Sequence, residues 1–236
     1  EIDTPADIDR LMRQWDRLAE KLEEDSLQYW KGIEAYPAFT IDKEALWIID
    51  AELVLEFLKE GYSLLELGAG TGRLAQLLLE RGTPSRYDIV EPNPNWAHSI
   101  SESFSRNFRV QVFPQTVSEY NALHTGEVAD LAIAFGWATY LVHDDSLHRS
   151  LAGLPAKRLL LKAPEPPQER FSRLRVDHFS KELGTHYISL YRSASETCRL
   201  VRNAGWIVKE LRRSIYPEPM ESAYGSRTFL IVAERP

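Results

Sequence analysis

The first 60 residues carry apolar side chains at helical spacing. Within residues 6–30 these are Ile8, Leu11, Trp15, Leu18 and Leu22. The polar positions between them alternate in charge, as on a solvated helix face. A linker follows, and a second helix is predicted from about residue 43 to 59, ended by Gly61. We therefore expect a helical cap over residues 1–42 and a larger domain over residues 43–236.

Beyond residue 61 the pattern changes to short apolar runs that alternate with amphipathic ones. Strands are predicted in "YSLLELG", "RYDIVEP", "FRVQVFP", "ADLAIAFGW" and "AKRLLLKAP". Helices are predicted in "GRLAQLLLERG", "PNWAHSISESFS" and "DDSLHRSLAGL". Strands alternating with helices at this interval indicate a parallel sheet with helices on both faces.

The end of the chain departs from this alternation. A helix in "SASETCRLVRNAG" precedes two strands, "WIVKELRRSIY" and "SRTFLIVAERP", joined by a polar, proline-containing connection. Because no helix separates these two strands, they should pair antiparallel. The pattern thus predicts an α/β fold with a seven-stranded, mostly parallel sheet whose last strand is antiparallel.

A long insertion over residues 164–192 interrupts the alternation before the last helix. A segment of this length between sheet elements is commonly a lid over a binding site. Two interpretations of the stretch from Arg170 to His178 remain open. Its arginines and interleaved aromatic residues could clamp an anionic or sugar-bearing substrate, or the stretch could be a solvated amphipathic helix.

Composition narrows the class of protein. The chain is 44% hydrophobic and 27% charged, as in ordinary globular proteins. Its net charge of −7 argues against a surface built for nucleic acid. The single cysteine, Cys198, excludes an internal disulfide, and no apolar run is long enough to span a bilayer. We expect a cytoplasmic protein.

The turn "ELGAGTG" carries the strongest chemical signal. Gly68, Gly70 and Gly72 follow a strand and precede a helix, so backbone N–H groups would meet a bound cofactor there. The spacing differs from the G-x-G-x-x-G turn of dinucleotide-binding proteins. Glu91 ends the next strand, where a carboxylate can accept hydrogen bonds from both ribose hydroxyls. NAD enzymes share that acid, so the glycine spacing and the antiparallel final strands discriminate between the two classes.

With Glu66 two positions before the first glycine, the turn resembles the (D/E)-x-G-x-G-x-G motif of the class I, Rossmann-like S-adenosylmethionine-dependent methyltransferases. The resemblance covers roughly residues 45–163 and 193–235. It implies a methyltransferase domain that binds S-adenosylmethionine and releases S-adenosylhomocysteine. The cofactor-binding residues it implies are Glu66, Gly68, Ala69, Gly70, Gly72, Glu91, Pro92, Asn93, Gln115, Thr116, Phe135 and Gly136. Gln115 and Thr116 stand where the family often has an acid against the adenine.

The sequence indicates the methyl acceptor less clearly than it indicates the cofactor. "AFGW" lacks the N-P-P-Y or D-P-P-Y signature of adenine and glutamine methyltransferases, which leaves oxygen, sulfur, carbon and simple amine acceptors open. A hydroxyl acceptor often needs a general base, for which we consider His178, His186 and His143. We expect O-methylation of a small molecule, a sugar or a phosphorylated glycan.

Several residues are expected to contact the acceptor from the cap, the segment after the fourth strand and the insertion. They are Tyr29, Tyr36, Trp137, Tyr140, Arg175, Tyr187, Tyr191 and Arg192. No metal is expected. The pair Asp144–Asp145 resembles a ligand of the metal-dependent catechol-type enzymes, but "KAPEPP" lacks the companion ligand pair. Two alternatives stay open: a protein or RNA acceptor, and a non-catalytic binding module that kept the cofactor fold.

Overall fold

A seven-stranded sheet forms the centre of the protein, in a computed structural model that describes residues 5–33, 43–168, 172–180, 185–218 and 227–236. Its strands in chain order are β1 (Ser63–Leu67), β2 (Arg86–Val90), β3 (Val110–Phe113), β4 (Ala129–Phe135), β5 (Ala156–Pro164), β8 (Ile207–Arg213) and β9 (Thr228–Glu234). The spatial order is β3-β2-β1-β4-β5-β9-β8. Only β9 runs against the others, since it pairs antiparallel with both β5 and β8. The predicted sheet is confirmed.

Helices cover both faces of this sheet. They are α1 (Pro5–Gly32), α2 (Lys43–Leu55), α3 (Arg73–Arg81), α4 (Pro94–Ser103), α5 (Val117–Leu123), α6 (Asp144–Gly153) and α7 (Ala194–Asn203), with a short 3-10 helix at Trp137–Tyr140. One apolar core packs α2, α3 and α4 against one face. A second core packs α5, α6 and α7 against the other. No helix in the described ranges is long and apolar enough to cross a membrane.

Helix α5 is absent from the sequence prediction, although the sequence signals its start. The Thr116 hydroxyl accepts a hydrogen bond from the Glu119 N–H at 3.2 Å, and the Glu119 carboxylate accepts one from the Thr116 N–H at 2.6 Å. This reciprocal capping box has the T-x-x-E signature of a helix start. Helix α2 also ends earlier than predicted, at Leu55.

The insertion forms a hairpin of two antiparallel strands, β6 (Arg173–Ser180) and β7 (Thr185–Arg192). The amphipathic-helix interpretation is therefore wrong for residues 173–178. Leu174 and Val176 alternate with Arg173 and Arg175, and this period of two is the pattern of a strand rather than of a helix.

Helix α1 packs across the carboxyl edge of the sheet. Near its middle, Ala19 contacts Ile188 and Leu190 of β7. At its end, the Asn93 side-chain amide donates hydrogen bonds to the carbonyls of Trp30 at 2.7 Å and Ile33 at 2.8 Å. Two anchors thus hold α1 over the sheet edge, although the predicted domain boundary at residue 42 lies outside the described residues.

Candidate functional site

The carboxyl ends of β1, β2 and β4 meet at one edge of the sheet, where the strand order reverses direction. In open α/β sheets this is where ligands bind. The glycine turn follows β1, Glu91 follows β2 and Gly136 follows β4. The chain thus brings its most distinctive sequence motif and the predicted ribose acid to the same edge.

All three glycines of the turn have positive φ, at 68° for Gly68, 58° for Gly70 and 77° for Gly72. Their surroundings differ. A Cβ at Gly72 would lie 2.8 Å from Cγ1 of Ile100, a buried side chain of α4. Gly72 also lines neither of the cavities described below. In this structure Gly72 therefore allows α3 and α4 to pack together, whereas Gly68 and Gly70 line the two cavities.

This difference predicts that Gly72→Ala lowers the free energy of unfolding by about 2–4 kcal/mol. A left-handed alanine costs about 1–2 kcal/mol, and overpacking against Ile100 adds the rest. Urea denaturation measures the change. Gly32→Ala is the matched control, because Gly32 has open space around its Cα and no positive φ. An unchanged stability for Gly72→Ala would contradict the packing role.

Glu91 joins the end of β2 to the glycine turn. Its carboxylate accepts hydrogen bonds from the N–H of Gly70 at 2.7 Å and of Asn93 at 2.9 Å. The side chain is only 3% exposed. Burial raises the pKa of Glu91 to about 7, although the two backbone hydrogen bonds oppose that rise. The carboxylate is thus fixed in orientation and titrates near neutral pH.

Glu66, at the end of β1, is a second buried carboxyl group near the turn. The Tyr87 hydroxyl donates a hydrogen bond to it at 2.6 Å. Burial raises the pKa of Glu66 to about 7, the Tyr87 hydrogen bond opposes the rise, and the charges of Glu91 and Asp50 add to it. Two acids with raised pKa values in one cleft are typical of a functional site.

Two adjoining cavities flank the glycine turn. The large cavity holds about 290 Å³ and the small cavity about 100 Å³, and both are bordered by Gly68, Gly70 and Phe135. Of the predicted cofactor residues, the large cavity is also lined by Glu91, Pro92, Thr116 and Gly136. The small cavity adds Glu66 and Ala69. Nine of the twelve predicted cofactor residues therefore border one or both of these two cavities.

Asn93 and Gln115, with Gly72, are the three predicted cofactor residues that border neither cavity. Asn93 is fully buried, and its side-chain oxygen accepts from the N–H groups of Asn95 at 3.0 Å and Trp96 at 3.2 Å, capping α4. Since its amide also holds the end of α1, Asn93 positions the cap over the cleft. Gln115 donates its backbone N–H to the Phe113 carbonyl at 2.9 Å.

Sequence reasoning missed a buried polar cluster behind the small cavity. Lys162 of β5 donates to both carboxylate oxygens of Asp50 at 2.5 Å, and it also bonds the Tyr216 hydroxyl. The Lys162 ammonium group lies 4.8 Å from the centre of the Phe135 ring. The cluster therefore ties α2 to β5 and supports the wall that the two cavities share. The sequence offers no signal for it, because the three residues are far apart along the chain.

The predicted acceptor residues separate into two groups. Trp137 and Tyr140 line the large cavity, together with Glu23, Leu27 and Trp30 of α1. Tyr29 is buried instead, and its ring centre lies 5.1 Å from the Trp30 ring centre in an edge-to-face arrangement. Arg175 is exposed and Tyr191 half-buried, and neither is among the described residues that line the two cavities. Tyr36 lies outside the described residues, as do the side chains of His178, His186 and Tyr187.

Arg192 has partners other than a substrate. It is 3% exposed and bonds the Asp144 carboxylate at 3.0 Å and the carbonyls of Leu141 at 2.8 Å and Val142 at 3.1 Å. Asp144 also accepts a hydrogen bond from Arg173 at 2.5 Å. This network fixes β7 against the segment after β4, and it occupies the guanidinium group that was expected to bind substrate.

We therefore expect Arg192→Met to lower the free energy of unfolding by about 3–5 kcal/mol. Arg192 is buried, so its loss leaves the carbonyls of Leu141 and Val142 without this donor, at about 1–3 kcal/mol each, while Asp144 keeps Arg173 as a partner. Arg175→Met in the same hairpin should stay within about 0.5 kcal/mol, because Arg175 is exposed. Chemical denaturation of both variants measures this. If Arg192→Met were as stable as wild type, the structural role would be contradicted, and Arg192 would again be a candidate for binding the substrate.

His143 caps α6 rather than facing the cleft. Its Nδ1 accepts from the Asp145 N–H at 3.2 Å, and its Nε2 lies 3.7 Å from the Asp16 carboxylate. Among the described residues, no group of three or more His, Cys, Asp and Glu side chains is placed to hold a metal ion. Asp144, one of the acids considered as a metal ligand, pairs with Arg173 and Arg192 instead.

Solved structures resemble this one over most of its length. A methyltransferase from Leishmania major that depends on S-adenosylmethionine has a TM-score of 0.62, with 17% identity over 90% of this chain and 83% of that one. The 1,6-didemethyltoxoflavin-N1-methyltransferase of Burkholderia thailandensis, solved with bound 1,6-didemethyltoxoflavin and S-adenosylhomocysteine, has a TM-score of 0.60, with 19% identity over 100% of this chain and 92% of that one. The fold is that of the class I S-adenosylmethionine-dependent methyltransferases. No protein-family model matches the chain, and no curated protein matches its sequence.

The methyltransferase fold also carries other chemistry. The 4+2 cyclase SpnF resembles this chain with a TM-score of 0.62 and 12% identity, over 95% of this chain and 94% of that one. Identities this low establish the fold alone, so the function has to be argued from the site.

Proposed function

We propose that this protein binds S-adenosylmethionine and transfers its methyl group to a small molecule held under α1. The observation that carries the proposal is the position of Glu91. Its carboxylate is bonded to the N–H of Gly70, at the turn that borders both cavities. We assign the adenosine half of the cofactor to the large cavity and the methionine half to the small cavity.

The geometry of Glu91 fits a ribose. Each carboxylate oxygen has two acceptor positions, and the backbone N–H groups of Gly70 and Asn93 take one on each oxygen. One position on each oxygen is left for a ribose hydroxyl. Pro92, Trp96 and Val117 supply apolar surface for a purine in the same cavity.

The small cavity fits the zwitterionic end of methionine. Glu66 lines it and attracts an ammonium group, beside Asp50, whose charge is paired with Lys162. Arg73 also lines it, with its guanidinium group paired with Glu44. The backbone of the glycine turn and the start of α3 border the same space, and their N–H groups favour an anion. The residues present thus match all three charged or polar parts of the cofactor.

When bound, the cofactor supplies an electrophilic methyl group on a sulfonium sulfur. The task of the protein is then to hold the acceptor in line with that methyl group and to exclude water. Phe135, Trp137 and Tyr140 form a largely apolar wall after β4, and α1 closes the other side through Leu27 and Trp30. This enclosure supports a small acceptor more than a protein or RNA.

O-methylation of an anionic or sugar-bearing acceptor remains the sequence-based prediction, and it rested on the arginines and histidines of the insertion. Arg173 and Arg192 are paired with acids, and His143 caps a helix. The described residues therefore give little support to that finer assignment, and the proposal is restricted to a small-molecule acceptor.

The test is transfer of label from methyl-tritiated S-adenosylmethionine into an extract of the source cells, followed by ultrafiltration. We expect a labelled compound in the small-molecule filtrate, and Glu91→Gln protein at the same concentration serves as the blank. Label retained with protein or RNA would overturn the acceptor class. Binding of S-adenosylhomocysteine without label in any fraction would indicate a non-catalytic module.

A further inference from the structure

The wall of the large cavity contributed by α1 carries one acidic side chain. Glu23, Leu27 and Trp30 line the cavity and are spaced to share one face of the helix. Trp30 lies seven positions after Glu23 in the helix, a rise of about 10 Å. Glu23 and Trp30 therefore serve opposite ends of the same cavity.

The contacts of α1 show which end of the large cavity holds Glu23 and which holds Trp30. The Trp30 carbonyl is bonded to Asn93, two residues beyond the predicted ribose acid Glu91. Glu23 accepts a hydrogen bond from the His143 N–H at 2.9 Å, beside the segment that follows β4. The carboxylate thus lies at the end of the cavity away from Asn93, where the segment after β4 would meet the acceptor.

Aromatic rings line the rest of the same cavity. Trp137 and Tyr140 do so after β4, and the 4.8 Å between the Tyr140 and Trp30 ring centres places Tyr140 toward the Trp30 end. Ring faces attract a nearby cation, tryptophan most strongly. Of the described residues that line the large cavity, Glu23 and Glu91 are acidic and none is Lys, Arg or His. The lining therefore favours a positively charged group over an anion.

The neighbouring cations do not reverse this balance. Arg192 pairs with Asp144, and Arg173 pairs with both Asp144 and Glu196. Both charges are paired within the protein, so neither Arg173 nor Arg192 directs an unpaired guanidinium group at the cavity.

From these observations, and resting on the proposed function, we infer that the methyl acceptor is a small molecule with a basic amine nitrogen, held between Glu23 and the rings of Trp137 and Tyr140. The neutral nitrogen attacks with its lone pair and forms a bond to the methyl carbon of S-adenosylmethionine. The carbon–sulfur bond breaks, and its electron pair stays on sulfur as S-adenosylhomocysteine forms. Before the attack, the Glu23 carboxylate takes one proton from the bound ammonium group and passes it to solvent, and the methylated nitrogen of the product then carries the positive charge.

The test separates the acceptors by charge before the reaction. A small-molecule extract of the source cells is divided into cationic, anionic and neutral fractions by ion exchange, and each receives enzyme and methyl-tritiated S-adenosylmethionine. We expect label with the cationic fraction. Glu23→Gln should lower that incorporation at least tenfold, because its amide oxygen can keep the hydrogen bond from His143 but carries no charge. Glu24→Gln, at an exposed position next along α1, is the matched control and should match wild type.

Calorimetry on each variant measures binding of S-adenosylhomocysteine, and so distinguishes a loss of cofactor binding from a loss of acceptor binding. Label with the anionic or neutral fraction, or full incorporation by Glu23→Gln, would overturn the amine assignment and leave the methyltransferase proposal standing. Absence of label from every fraction would overturn the proposed function, and the amine assignment with it.

Discussion

Replacing Glu91 by glutamine is expected to weaken binding of S-adenosylhomocysteine about 100-fold. The carboxylate is fixed by the N–H groups of Gly70 and Asn93 and offers one remaining acceptor position on each oxygen. Glutamine must present an NH₂ group to one of these donors, so it loses that contact and one ribose acceptor. The backbone contact is lost from the free protein as well, so the change in affinity comes from the lost ribose bond, at about 1.5–3 kcal/mol, and from a neutral acceptor on the other hydroxyl, at about 1 kcal/mol, together roughly 100-fold.

The pH dependence of binding tests the same residue, together with Glu66, without a mutation. The pKa of Glu91 is raised to about 7, and the ionised form is the one that accepts from both hydroxyls. Affinity of the wild-type protein should therefore fall as the pH drops below about 7, approaching tenfold per pH unit, and stay nearly constant above it. Isothermal calorimetry from pH 5.5 to 8.5 measures this. Glu102→Gln, at an exposed site on α4, should keep the wild-type profile. A flat profile for wild type would contradict the role of Glu91.

Replacing Glu66 by glutamine should stabilise the protein without cofactor. Burial raises the pKa of Glu66 from an ordinary 4.5 to about 7, so the folded protein binds the proton more tightly than the unfolded chain does. The free energy of unfolding must then fall as the pH rises from about 4.5 to 7, because the unfolded chain releases that proton first. Glutamine removes this penalty, and its amide oxygen can still accept the hydrogen bond from Tyr87.

The expected gain for Glu66→Gln is roughly 3 kcal/mol at pH 8 and below about 1 kcal/mol at pH 5, since each pKa unit corresponds to about 1.4 kcal/mol. Urea denaturation at the two pH values measures it, with Glu102→Gln as the control. We also expect the variant to bind S-adenosylhomocysteine about tenfold more weakly, because it lacks the charge proposed to meet the ammonium group. An equal effect at both pH values would show that ionisation of Glu66 is not the cause.

The parts of the site that sequence could predict are those fixed by local backbone requirements. A strand, three alternate glycines and a helix can form only one kind of turn, and Glu91 at the next strand end must lie beside it in a parallel sheet. Short apolar runs likewise predicted most of the strands. Each of these signals is contained within a few consecutive residues.

The parts that could not be predicted depend on partners distant in the chain. Nothing near Asn93 indicates that its amide caps the end of α1, and nothing near Arg192 indicates the buried pair with Asp144. Glu23 resembles its exposed neighbours in the sequence, and only the packing of α1 places it on the cavity wall. The hairpin differs, because Leu174 and Val176 show the alternation of a strand, whereas the charged residues around them also fit an amphipathic helix.

A crystal structure with S-adenosylhomocysteine would test the central claim most directly. The account predicts density that spans both cavities across the glycine turn, with the ribose hydroxyls on the Glu91 carboxylate and the amino-acid end beside Glu66 and Arg73. Density confined to another surface, or a ribose without contact to Glu91, would contradict it.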